Sequence, residues 1–356
     1  MIRFRQADRL VLPPERRYGA PAGVQRVRLS INDFDGLAAA FPQWDGGFTQ
    51  MSRGAFQGDL QVAVGPQLRA FHVATSQSIH TRGGGAETVT FIPIGARSEG
   101  TLWQGRRLAR GALLMRGAHV AYDNRTEQGA RIRGLIVPAS TVARVATVLS
   151  GGAVDEDWTT WRGLRPEPRA LARFEACLEA FLFGADGMLH SAEAEALCLR
   201  TLLDAVVSAG DEKTTPCQSD RARLVERVTR FLRDRLATSL TAIDLCAAFG
   251  VSDRLLRPAF NEAYGLGPLA YFRLLRLHDV RQSLIAARGR DRSVAEILDR
   301  AGVTRPAAFS GAYRRHFGER PSETLGVRGW DGVQAMTRAA ARPTLATLPS
   351  SRHLTS

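Results

Sequence analysis

TAIDLCAAFGVSDRLLRPAFNEAYGLGP (residues 241–268) and SVAEILDRAGVTRPAAFSGAYRRHFGERP (residues 293–321) set out one pattern twice. In the first copy Gly250-Val251-Ser252 is followed by Phe260, Gly265 and Pro268. In the second, Gly302-Val303-Thr304 is followed by Tyr313, Gly318 and Pro321. Each copy reads as a short helix, a turn at a glycine free to take positive φ, and a second helix. A helix-turn-helix braces its second helix with its first and lays the second in a DNA major groove, so the pair points to a DNA reader.

The side chains divide accordingly. In the first unit Thr241 caps a helix bearing Ile243, Leu245 and Phe249, and Ser252 caps the next. Leu255, Leu256, Ala259 and Phe260 pack inward, which leaves Asp253, Arg254, Arg257 and Asn261 outward. Arginine near such a helix start suits guanine O6 and N7, while Asn261 lies late enough for phosphate or solvent. Pro258 stands too deep for the tolerance of a first turn and is expected to kink the helix or delay its regular part. In the second unit Ser293 caps the helix of Val294, Ile297 and Leu298, and Thr304 caps one that begins near Arg305 and Pro306. Phe309 and Tyr313 point inward; Arg305, Ala307, Ser310, Arg314 and Arg315 are the candidates to face DNA. Its small central side chains favour phosphate contact over base reading. A connecting helix from Leu269 to Ala287, with Leu277, Val280 and Leu284 inward, would hold the two recognition helices about one helical turn, roughly 34 Å, apart.

Residues 219–325 resemble the DNA-binding domain of AraC/XylS transcription regulators. The likeness rests on Gly250-Val251-Ser252-x-Arg254-x-Leu256, Phe260, Gly265-x-x-Pro268-x-x-Tyr271-x-Arg273-x-x-Arg276-Leu277, and Phe309-x-x-x-Tyr313-x-x-x-Phe317-Gly318-x-x-Pro321-Ser322. It implies a bihelical domain on an asymmetric site of roughly 17–20 base pairs, reading two successive major grooves. The N-terminal region is similar, less sharply, to the cupin-like sensor and dimerisation domain such regulators carry. The resemblance also implies activation through contact with RNA polymerase, although the residues themselves allow repression equally.

Upstream, short apolar runs alternate with glycine. Leu60, Val62 and Val64 share one face of an extended segment, as do Val89 and Phe91, and Ile132 to Val137 is a buried-looking run. Gly65-Pro66, Arg82-Gly83-Gly84-Gly85 and Asn124 to Gly129 punctuate them as turns. An α+β chain follows: a small cupin-like β-barrel or sandwich with flanking helices, then an all-α domain of two helix-turn-helix units joined by a connecting helix. The expected boundaries are 1–140 for the β-rich domain, 141–210 for a helical segment, 211–220 for a linker, 221–325 for the DNA-binding domain and 326–356 for a flexible tail. Asp33 to Phe41 reads as a short helix, Gly151 to Arg165 as a loop carrying Trp158 and Trp161, and Glu167 to Ser208 as two helices. The stripes Phe174, Leu178, Phe181, Leu182 and Leu199, Leu202, Leu203, Val206 suit core, with a dimer contact as the other reading.

Composition bounds the rest. The net charge of +13 is compatible with an anionic partner, but the N-terminal region is as basic as the repeats, and Lys213 is the one lysine, so arginine content by itself establishes nothing. Cys177, Cys198, Cys217 and Cys246 show no CxxC spacing, and no run approaches the roughly 20 apolar residues of a membrane span. A cytoplasmic location and no membrane partner are therefore expected, and the resemblance implies a homodimer on double-stranded promoter DNA. His72, His80 and His119 lack a His-x-His pair or a spaced glutamate, so no metal is expected; nor is a cofactor or any catalytic residue. Trp44, Phe48, Phe56, His72, Phe91 and Trp103 are the aromatic candidates for a small-molecule effector pocket, with Trp44, His72 and Trp103 foremost. Two other readings stay open: a constitutive or architectural DNA-binding protein without effector, and a metal-dependent cupin-like enzyme fused to a DNA anchor.

Overall fold

Period-two alternation assigns the faces of the N-terminal strands, and two faces need two covers. The computed structural model describes residues 24–39, 46–83, 87–150, 159–184, 191–211 and 220–326. The strands are β1 (Gln25–Ile31), β2 (Gly46–Gln50), β3 (Gly58–Val64), β4 (Arg69–Thr75), β5 (Ile79–Gly83), β6 (Thr88–Pro93), β7 (Leu102–Trp103), β8 (Arg106–Arg107), β9 (Leu113–Arg116), β10 (Tyr122–Arg125), β11 (Arg131–Pro138), β12 (Trp161–Arg165) and β13 (Gly210–Asp211). Helices α1 (Phe34–Ala39), α2 (Ala139–Ser150), α3 (Pro168–Phe183) and α4 (Ser191–Val207) accompany them.

The strands pair antiparallel in two sheets. An 8-stranded sheet runs β1-β3-β4-β11-β6-β9-β12-β13, and a 5-stranded sheet runs β2-β5-β10-β7-β8. The run at β11 is apolar because both its faces are covered. Leu135 and Val137 join a core with Val89, Phe91 and the stripes of α3 and α4, while Ile132 and Ile136 pack with Phe71, Ile92 and Trp103 toward the small sheet. Phe174, Leu178, Phe181, Leu182, Leu199, Leu202, Leu203 and Val206 are thus core residues of this chain.

One expectation is corrected here. Trp161 does not lie in a loop: Trp161–Arg165 forms β12, paired with β9 in the register Trp161↔Arg116 and Leu164↔Leu113. Gly163 and two arginines hide the strand in the sequence. Trp158 lies outside the described residues. Cys177, Cys198 and Cys246 are free thiols, and Cys217 is also outside the described residues. Among the described residues no helix is long and apolar enough to cross a membrane.

The remaining helices are α5 (Asp220–Arg233), α6 (Ala242–Phe249), α7 (Asp253–Tyr264), α8 (Pro268–Ala286), α9 (Val294–Arg300), α10 (Pro306–Phe317) and α11 (Pro321–Gly326). They build two cores on the two ends of α8. Val228, Leu232, Leu245, Leu256, Phe260 and Tyr271 fill one, and Val280, Leu284, Ile297, Leu298, Tyr313 and Phe317 the other.

The sheet domain is fastened to α8 and α10 by polar contacts. Arg281, only 3% exposed, donates from Nε to Asp35 of α1 at 2.7 Å and from Nη1 to Glu319, and Gln282 Nε2 reaches the other Asp35 oxygen at 2.8 Å. His278 and His316 each place Nε2 3.1 Å from the carbonyl oxygen of Gln50 at the end of β2. The amides of Gly54 and of the Gln50 side chain in turn donate to the His316 carbonyl, both at 2.9 Å. Met51 completes the seam by joining the core of Leu232 and Tyr271.

Candidate DNA-binding surface and sensor cavity

Local chemistry sets the first unit. Thr241 Oγ1 accepts the Asp244 amide at 3.2 Å while Asp244 Oδ2 accepts the Thr241 amide at 2.8 Å, a reciprocal capping box that starts α6. Gly250 ends α6 at φ 64° and ψ 32°, a left-handed conformation that costs glycine least. Ser252 sits at the N-cap position of α7, but its hydroxyl makes no capping bond and is exposed. Leu256, Ala259 and Phe260 are buried, and Arg254, Arg257, Pro258 and Asn261 are exposed along the opposite side. Leu255 is 39% exposed rather than packed inward.

Pro258 does not break or delay the helix, which starts at Asp253 and runs unbroken to Tyr264. The proline points to solvent, and the buried residues on either side of it, Leu256 and Phe260, tie both halves to one core. The bond it cannot make would have gone to the Arg254 carbonyl, on the exposed side. Arg257 pairs with Asp253, Nη2 to Oδ2 at 3.0 Å, an i,i+4 contact between exposed groups. Arg254 has no ion-pair partner among the described residues and is the freer cation of the helix.

The second unit repeats the plan with differences. Ser293 and Glu296 form the capping box of α9, and Gly302 turns at φ 67° with the Ala237 carbonyl where a Cβ would lie. Arg276 of α8 braces this turn, donating from Nη2 to the carbonyls of Ala301 at 3.1 Å and Gly302 at 2.8 Å. The cap of α10 is Arg305 rather than Thr304: Arg305 occupies the N-cap without a side-chain bond, because Pro306 already fixes the first turn. Thr304, Arg305, Arg314 and Arg315 are exposed, and Ser310 is half-buried. Arg314 and Arg315 stand in the last turn, where the carbonyl end of the helix favours cations. His316 turns inward to Gln50.

The two sheets enclose a cavity of about 60 Å³ whose walls include Phe71, Ile92, Trp103, Tyr122, Asn124 and Ile132. Of the three foremost pocket candidates, Trp103 lines it. His72 does not: on β4, Phe71 and Val73 face the cavity, so His72 faces the other way and sets its ring against Phe183, centroids 5.5 Å apart. Burial first, then Arg133 and Arg131, hold the His72 imidazole below its usual range, so it is neutral at pH 7. Trp44 lies outside the described residues. Phe48 lines the cavity, Phe56 packs with α1, and Phe91 belongs to the core under α3 and α4.

The cavity wall is also the wall against the helical domain. Ile79 and Thr81 of β5, with Tyr122 and Asn124 of β10, face the cavity. Their neighbours face the other way. The His80 ring lies 5.1 Å from that of Tyr264 at the end of α7, and the Arg125 guanidinium occupies the space a Cβ on Gly265 would need. His80 Nε2 meets Asp123 Oδ1 at 2.9 Å, and Arg82 Nε lies 3.4 Å from Asp123 Oδ2. Burial lowers the His80 pKa; burial works against the Asp123 carboxylate too, but the His80 bond and Arg82 keep it ionised. The pair is a neutral imidazole donating to a carboxylate. Sequence reasoning missed Asn124, Gln50, His278 and Arg281 because none stands in a spacing that marks chemistry; Arg276 stood in the quoted motif, but its bracing role did not show. Among the described residues no group of three or more His, Cys, Asp or Glu could hold a metal ion.

A helix-turn-helix domain family model matches residues 245–326. The XylDLEGF operon transcriptional activator 2 of Pseudomonas putida is 30% identical over 129 residues, 36% of this chain and 78% of that protein. The regulatory protein HrpB of Ralstonia nicotianae is 30% identical over 100 residues, 28% of this chain and 21% of that protein. The probable thc operon regulatory protein of Rhodococcus erythropolis is 29% identical over 102 residues, so this chain matches about a third of its length, 31%. The crystal structure of a transcriptional regulator with an AraC-type DNA-binding domain, from Chromobacterium violaceum, shares 27% identity over 29% of this chain and 89% of that one, with a TM-score of 0.27. With two capped helix-turn-helix units on one connecting helix and a relative matched over most of its length, the chain belongs to the AraC/XylS family of transcription regulators.

Proposed function

We propose that this chain is a sequence-specific, effector-responsive regulator of transcription. Two recognition helices with exposed arginines, fixed on the single connector α8, carry the reading. Arg254 at the start of α7 is the principal base reader, with Arg257 beside it once Asp253 releases it, and Ser252 and Asn261 flank them. Thr304, Arg305, Ser310, Arg314 and Arg315 on the second unit anchor phosphates. The β domain senses a small molecule, and the chain acts as a homodimer in the cytoplasm on promoter DNA, with RNA polymerase as a further partner and no catalytic reaction of its own. The wall that β5 and β10 share between cavity and α7 supports the coupling: a ligand on one face shifts strands whose other face holds Tyr264 and Gly265.

Selection of bound sites from random double-stranded DNA with the full chain tests this. The expected product is one enriched, asymmetric motif of about 20 base pairs, two helical turns, with paired copies if the dimer binds adjacent sites. DNA recovered without enrichment at any position would refute sequence-specific reading.

A further inference from the structure

The cavity holds two polar groups without partners. Trp103 and Asn124 line it, are 2% and 8% exposed, and stand directly opposite one another in the β7–β10 ladder. Directly opposed residues put their side chains on one face with Cβ atoms about 5 Å apart. Trp103 Nε1, a donor, and Asn124 Oδ1, an acceptor, have no hydrogen-bond partner. Three of the other four polar side chains that line it are engaged: Thr75 Oγ1 donates to the Gln77 carbonyl at 3.0 Å, Thr126 Oγ1 accepts the Ile79 amide at 2.9 Å, and the Tyr122 hydroxyl reaches Thr90 at 3.1 Å; the fourth is Thr81. A buried polar group left unpaired is costly, so an adjacent donor and acceptor in an apolar chamber define what should enter.

Charge and shape narrow it further. Among the described residues no Arg, Lys, His, Asp or Glu lines the cavity. The nearby Arg116 guanidinium lies 4.1 Å over the Tyr122 ring and donates to the Val120 carbonyl at 2.7 Å and Thr90 at 3.0 Å. An ionised ligand would meet no charged side chain on the lining itself. Phe48, Phe71, Trp103 and Tyr122 supply four rings to the walls, which suits a flat apolar body.

We infer that the cavity between the two sheets binds a compact neutral phenol, whose single hydroxyl accepts from Trp103 Nε1 and donates to Asn124 Oδ1. This rests on the reading of the β domain as a sensor and names its ligand class. Calorimetry and thermal melts of the full chain with phenol, p-cresol, toluene and benzoate test it, alongside Trp103→Phe and Asn124→Leu, each checked for an unchanged far-UV spectrum. Phenol and p-cresol are expected to raise the melting temperature and to bind about ten-fold more tightly than toluene, the value of one or two neutral hydrogen bonds. Each variant should erase that preference, read as the ratio of phenol to toluene affinity within the same variant, and either variant suffices should the other not fold. Benzoate binding as tightly as phenol, no binding of either phenol, or a hydroxyl preference that survives both variants would overturn the inference. The two readings fail separately. If phenol binds as described but leaves occupancy of the selected DNA unchanged, the ligand class stands and effector control falls; if benzoate alone shifts occupancy, control stands and the ligand class falls.

Discussion

Replacing Arg281 with methionine is expected to lower the free energy of unfolding by about 3–5 kcal/mol, the range for removing one partner of a buried ion pair. Arg281 is 3% exposed and joins three parts of the chain: α8, on which it stands, Asp35 of α1, and Glu319 beside α11. It also donates to the Tyr313 hydroxyl at 3.3 Å, and its guanidinium lies 4.8 Å over the Phe317 ring. Burial already pushes the Asp35 carboxyl up, with Arg281 the main influence pulling it down. Without the guanidinium, Asp35 must either take a proton or keep a charge in a site built to neutralise it. Methionine keeps most of the stem, so the loss reports the head group rather than a cavity. Adding Asp35→Asn to Arg281→Met should recover part of it, because the orphaned charge is then gone. Urea unfolding of the two variants checks both statements; a loss below about 1 kcal/mol for the single variant would mean that the seam between the domains carries little.

Acid should loosen the same seam before carboxylates titrate. Burial, and for His278 also the neighbouring His316, push the two imidazoles down, to about 3 for His278 and about 4 for His316, from the ordinary imidazole value of 6.5. Arg281 faces both histidines, and Arg53 faces His316; their charges act in the same direction. In the folded chain both rings are therefore neutral, with Nε2–H donated to the Gln50 carbonyl. The unfolded chain takes up protons at these residues from about pH 6.5 downward, and the folded chain does not until about pH 4. Stability from this pair is thus complete above pH 6.5 and is lost as the pH falls toward 4, by up to about 1.4 kcal/mol per unit for each histidine. Between pH 6.5 and 5 ordinary carboxylates contribute little, which makes that window diagnostic. Unfolding free energies at pH 7, 6 and 5 should fall; His72 and His80, which burial also holds neutral, add to the slope, so His316→Gln should reduce it by one histidine's share and not flatten it. A flat profile across that window would contradict the burial assigned to these rings.

The helical half of the molecule was legible because its signals are local. Thr241 with Asp244 and Ser293 with Glu296 are capping boxes in four consecutive residues, and Gly250, Gly265, Gly302 and Gly318 each take the positive φ their turns need. Pro258 misled because propensity sees only the lost amide, whereas Leu256 and Phe260 fasten the helix on both sides of it. Thr304 misled because Pro306 permits a start one residue later without a side-chain cap.

In the β domain the aromatic candidates were chosen by residue type, but strand phase decides which face they take. Phe71 and Val73 enter the cavity and His72 between them cannot. Asn124 was invisible for the opposite reason: it reads as a turn residue, and only its place opposite Trp103 gives it a role. The seam lay beyond sequence reasoning altogether, since Gln50 and His316 meet across 266 positions with no periodicity linking them.

The central claim is that α7 reads bases while α10 anchors phosphates. It is tested most directly by measuring the affinity of Arg254→Ala and Arg314→Ala for the selected site and for single-base variants of it, across a salt series. Arg254→Ala is predicted to lose about 1–3 kcal/mol on the selected site and to relax preference at one base position. Arg314→Ala is predicted to weaken all sequences alike and to reduce the salt slope by about one. Base preference unchanged by Arg254→Ala, or a loss confined to one base position with Arg314→Ala, would contradict the division of labour between the two helices.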